Sequence, residues 1–105
     1  MSVVVAYVPD LMDRSKVSAA APGTTFVEGP QALVAAAAAG AEVVLVDLGR
    51  PGVIDSLPAL VATGARVVAF GSHVERETLA AAAATGCEAM PRSQFFRSLG
   101  DLTAG

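Results

Sequence analysis

The stretch Val43-Val44-Leu45-Val46-Asp47-Leu48-Gly49-Arg50-Pro51-Gly52 runs four apolar residues together, then an acid, then a turn. Alternating residues would mark a strand with one wet face. An unbroken apolar run predicts a strand covered on both faces, as in a parallel sheet between helix layers. Asp47 sits where that run meets water. The run is introduced by Gly40-Ala41-Glu42, and the same preface recurs twice. Gly64-Ala65-Arg66 precedes Val67-Val68-Ala69-Phe70, and Gly86-Cys87-Glu88 precedes Ala89-Met90. Each glycine follows a helix-like run, where its freedom at positive φ closes the helix. The glycines lie 24 and 22 residues apart, about one strand–helix unit.

Working outward from this repeat gives five such units. Strands are expected over residues 2–8, 25–28, 43–47, 67–71 and 88–90, the second weak and at an edge. Helices are expected over 12–20, 31–39, from about 56, over 75–85 and over 93–102. Gly29-Pro30 enters the second helix. Asp55 or Ser56 caps the third, with Pro58 in its first turn. The result is a doubly wound parallel sheet of five strands with right-handed crossovers.

Composition fits that architecture and removes several alternatives. The 105 residues suffice for one domain over the whole chain. There are 22 Ala and 15 Val and no Trp, so the packing relies on small helix formers and β-branched strand formers. The net charge is −3 with seven basic residues, which argues against a nucleic-acid partner. One Cys and one His exclude an internal disulfide and make a structural zinc site implausible. The N-terminus lacks the basic region and cleavage site of a signal peptide. The apolar stretch over residues 32–41 is about half of the ~20 residues a membrane helix needs, so no membrane partner is expected. A cytoplasmic protein is the expectation.

In open α/β sheets, sites form at the carboxyl ends of the strands. Those ends carry Asp10 with Asp13 one turn on, Asp47, Gly71-Ser72-His73, and Pro91-Arg92-Ser93. A strand order of 2-1-3-4-5 makes them neighbours along one rim.

This constellation resembles the receiver domain of bacterial response regulators over nearly the whole chain. The segment from Val43 to Gly52 is similar to the receiver stretch of hydrophobic strand followed by Asp-Leu-x-x-Pro-Gly. Met90-Pro91-Arg92-Ser93 is similar to the fifth-strand Pro-Lys-Ser form. The resemblance implies a three-layer flavodoxin-like fold, with Asp47 at the phosphoacceptor position. It implies Gly71, Ser72 and Arg92 as switch or phosphate-contact positions. Receivers also hold Mg²⁺ on an acidic pair ending the first strand. Here those places fall close to Tyr7 and Val8, leaving Asp10, Asp13 and Asp47 as the metal candidates. Gly71 stands where a Thr or Ser is usual, and Arg92 where a Lys is usual, a swap that changes both geometry and donor number.

The implied function is a stand-alone atypical receiver, or pseudo-receiver, in signal transduction. It would not be an enzyme. It would act on a protein partner, a kinase or a downstream regulator. Homodimerisation through the fourth helix, fifth strand and fifth helix is a further expectation. There Phe95 and Phe96, about 100° apart on a helix, would send one ring to the core and one to the surface. A bridge from Arg92 to Asp47 would hold the rim shut without phosphate. The alternative is a domain binding a small ligand or anion through Arg92 and the loop amides. Plainer roles compete at each position: Asp10, Asp13 or Asp47 as caps, His73 as an exposed loop residue, Cys87 as a small buried one.

Overall fold

The computed structural model describes residues 3–104. In chain order it contains β1 (Val4–Tyr7), α1 (Leu11–Ala20), β2 (Thr25–Phe26), α2 (Pro30–Ala38) and β3 (Val43–Asp47). These are followed by α3 (Val53–Ala62), β4 (Arg66–Gly71), α4 (Arg76–Ala84), β5 (Glu88–Pro91) and α5 (Arg92–Thr103). The five strands form one parallel sheet in the order β2-β1-β3-β4-β5. The first strand is shorter than expected, and the Ser2 at its anticipated start lies outside the described residues. The second reduces to two residues at the sheet edge.

Strand residues alternate between two cores, which is why their apolar runs are unbroken. Val4, Ala6, Val43, Leu45, Val68 and Phe70 face Val17 of α1 and Phe95, Leu99 and Leu102 of α5. Val5, Val44, Val46, Val67 and Ala69 face Leu33 of α2, Leu57 and Leu60 of α3, and Ala82 of α4. Each large side chain among them, fully buried, is worth roughly 1.5–3 kcal/mol of transfer free energy. The two layers therefore carry the fold, and β2 adds little.

The repeated glycines behave as their position predicts. Gly40, Gly64 and Gly86 have φ of 119°, 86° and 103°, in the region that favours a residue without a Cβ. The third helix differs from the expectation. It begins at Val53, not near Ser56, because Gly52 at φ 79° turns the chain straight into the helix. Neither Asp55 nor Ser56 is its cap; the Ser56 hydroxyl donates to the Gly52 carbonyl at 2.8 Å. Pro58 is consequently the sixth helical residue rather than a first-turn one, and it withholds an N–H from Ile54.

Candidate functional site

The parallel register brings the ends of β1, β3, β4 and β5 to one rim. Asp47 pairs in register with Phe70, and Gly71 with Pro91. Asp47 ends β3 with only 8% of its surface exposed. Its Oδ1 accepts the Gly49 N–H at 2.9 Å, and its Oδ2 accepts from Arg50 Nε at 3.2 Å. The first contact is an Asx turn, a local role that Asp plays wherever a chain must bend. It also explains Gly49. A Cβ there would lie 3.2 Å from Asp47 Oδ1, closer than most real Cβ contacts.

Arg92, the first residue of α5, turns to α1. Its Nη2 donates to Asp13 Oδ1 at 2.7 Å, and its Nη1 to Asp13 Oδ2 at 3.1 Å. This is a two-bond fork across 79 residues of sequence, the geometry that guanidinium and carboxylate match best. The Asp13 side chain is 4% exposed and that of Arg92 45%. The guanidinium also lies over two rings, 5.3 Å from the Phe70 centroid and 5.4 Å from that of Phe96. The Asp13 hydrogen bonds hold Arg92 above the usual arginine value against its partial burial, and the charges of Asp13, Asp47 and Asp10 add to this. The bridge expected from Arg92 to Asp47 is therefore not formed. Arg50 holds Asp47, and Arg92 is committed to a deeper acid whose need for a partner is greater.

Asp10 caps α1, its Oδ1 accepting the Asp13 N–H at 3.0 Å. That bond keeps the Asp10 carboxyl below its ordinary value, with Arg92 and Arg50 helping from further off. Arg14 is a rim residue that the sequence did not announce. It donates from Nε to the Val8 carbonyl at 2.9 Å and from Nη2 to Glu28 at 3.0 Å, fixing the exit of β1.

Asp47, Gly71, Ser72 and Arg92, all named from sequence, line one hollow of about 200 Å³ together with Glu75 and the apolar Leu48 and Leu79. Asp10 and Asp13 do not line it. A larger hollow of about 430 Å³ is bounded by Val74–Thr78 alone, one continuous strip of chain with no opposing wall. The smaller one, walled by the ends of β3 and β4, by α4 and by the start of α5, is the better-formed site.

The donor set does not suit a hard divalent ion, which wants several free oxygens at short range. Val8, at the end of β1, is apolar and fully buried. Both Asp13 oxygens face Arg92, and both Asp47 oxygens are engaged. Among the described residues no three His, Cys, Asp or Glu side chains gather closely enough to hold a metal ion.

Phe95 is fully buried, stacked on Phe70 with centroids 4.4 Å apart. Phe96 corrects the idea of a surface ring beside α4. It is half-buried on the α1 side of the sheet, edge-on to Phe70 and Phe95, with Lys16 Nζ 4.9 Å from its centroid. His73 is exposed in the β4–α4 loop. Cys87 is buried, its Sγ donating to the Ala82 carbonyl at 3.1 Å, and burial pushes its thiol pKa up.

Comparison with solved structures gives this architecture its class. The Mn²⁺-bound form of the response regulator Rcp1 is 12% identical, with a TM-score of 0.70 over 96% of this chain and 91% of its own. A response regulator receiver domain from Rhodospirillum rubrum is 16% identical, with a TM-score of 0.65 over the same shares. The pilus assembly protein CpaE from Caulobacter crescentus is 18% identical, with a TM-score of 0.67 over 99% of this chain and 95% of its own. The chain thus has the receiver-domain fold, the flavodoxin-like five-stranded form in 2-1-3-4-5 order. No protein-family model matches the sequence, and no curated protein matches it. No helix among the described residues is long and apolar enough to cross a membrane.

Proposed function

We propose that this chain is a pseudo-receiver: a receiver-fold signalling module that works by contact with a protein partner, without phosphorylation of Asp47. The observation that carries this is the commitment of Asp47 to Arg50 and of Arg92 to Asp13. Phosphoryl transfer to a carboxylate needs a free nucleophilic oxygen, a metal to neutralise the phosphate and donors for the equatorial oxygens. Asp47 occupies the phosphoacceptor position but is tied to Gly49 and Arg50. Arg92 occupies the lysine position but is tied to Asp13. The oxygens that would hold Mg²⁺ are not gathered among the described residues. Such a protein is no enzyme, and its output is its surface.

The contact surface assigned in this reading is the α4–β5–α5 side. There β5 is an edge strand, and α4 presents Ala80, Ala81, Ala83 and Ala84 to solvent. A kinase, a downstream regulator or a second copy of the chain are the partners that side would take. Receiver-fold domains in proteins described as pilus assembly components fit a module that works inside an assembly.

The test is intact mass after incubation with Mg²⁺ and a small-molecule phosphodonor, beside an Asp47→Asn control and a standard receiver. The proposal expects an unchanged mass while the standard receiver is labelled. One added phosphoryl group on the wild type, absent from Asp47→Asn, would overturn it.

A further inference from the structure

The rim's mismatch with a divalent ion has a counterpart in its own residues. Its two buried carboxylates each meet a guanidinium, Asp47 that of Arg50 and Asp13 that of Arg92, while Asp10 caps α1 through the Asp13 N–H. Asp13 is the decisive acid. It lies one helical turn before Val17 on the buried stripe of α1, and the two are the helix's buried residues. A carboxylate so placed requires a cation, because ionised groups are not left alone in a core. We infer that Arg92 is the resident cation that answers Asp13 at this rim without a divalent ion, pinning the first turn of α1 to the start of α5.

This rests on the pseudo-receiver reading but can fail separately from it. Two features give the pin its character. The pair is unequal in burial, 4% against 45% of side-chain surface. An Arg92 without Asp13 therefore reaches water, whereas an Asp13 without Arg92 stays buried and unpaired. The pinned turn also carries Leu11 and Met12, exposed at 77% and 74%, so Arg92 fixes the position of an apolar surface as well as a charge. In this assignment Arg92 is a positioning residue, touching no substrate.

The test is a thermal-melting cycle on the full chain with Asp13→Asn, Arg92→Gln and the double variant, in millimolar Mg²⁺ and in chelator. Wild type is expected to melt alike in both, since a ligand that does not bind the native state does not shift it. Arg92→Gln is expected to lower the midpoint by roughly 10 °C, and Asp13→Asn by clearly less. The double variant should recover at least half of the Arg92→Gln loss, because no buried charge remains unpaired. Amide exchange in the first turn of α1 should quicken in all three variants, since each breaks the fork. A wild-type midpoint raised by Mg²⁺ would overturn the inference whatever the variants do. So would a double variant no more stable than Arg92→Gln, folded or not. Labelling of Asp47 by a phosphodonor would remove the pseudo-receiver reading and the metal-free rim with it, while the variant cycle alone would still decide whether Arg92 pins Asp13.

Discussion

Arg92 commits both terminal nitrogens to Asp13, and that pairing leaves Asp47 to Arg50. The pairs differ in kind. The Asp47–Arg50 bridge spans three residues and was within reach of local reasoning, since an Asp at a strand end commonly bonds the turn that follows. The Asp13–Arg92 fork spans 79 residues and depends on how α1 is rotated against α5. One signal for it lay in the sequence. Asp13 precedes the buried Val17 by four residues, so the helix places an acid on its buried stripe. Which cation answers it is a tertiary matter that neither residue's neighbours encode.

Titration belongs to the same scale. Asp10 and Glu88 are both held below their ordinary values of 3.8 and 4.5, the first by the Asp13 N–H and the second by its hydrogen bonds with Arg66. A carboxyl lowered on folding stabilises the native state above its unfolded value. That contribution disappears as pH falls through the folded value. Urea midpoints should therefore hold near neutrality and begin to drop below about pH 5. Glu88→Gln should remove part of the slope, and a slope unchanged by it would contradict the Arg66–Glu88 assignment.

At the scale of elements, the glycine punctuation was legible because it depends on one local property. Gly40, Gly64 and Gly86 all sit at positive φ, where a Cβ is unfavourable. Gly40→Ala should cost about 1–2 kcal/mol by denaturant melting, although open space surrounds it. Gly100 provides the opposite sign. It lies inside α5, with open space where an alanine methyl would stand and no positive φ. Gly100→Ala should stabilise by about 0.5–1 kcal/mol. Equal shifts at both positions would contradict the conformational account. The start of α3 was less legible. Ser56 and Pro58 imitate a helix entrance, but Gly52 supplies the real one. The buried residues Val53, Leu57 and Leu60 recur at i, i+4 and i+7, a pattern that outweighs a local capping signal. Phe96 likewise escaped, because a ring's position on a helix does not say which cations of a neighbouring helix will cover it.

At the scale of the whole molecule, the fold survives at 12–18% identity to its structural neighbours. What persists is the division of each strand's residues between two helix layers, which small apolar side chains satisfy in many sequences. The charge set at the strand ends is where the proposed function rests. The most direct test is the amide spectrum of the ¹⁵N-labelled protein, recorded before and after adding Mg²⁺ with beryllofluoride, a mimic of the aspartyl phosphate. A rim closed by its own arginines predicts unchanged resonances for Gly49, Arg50, Ser72 and Arg92. Shifts at those residues that spread into α4 and β5, and vanish in Asp47→Asn, would contradict it.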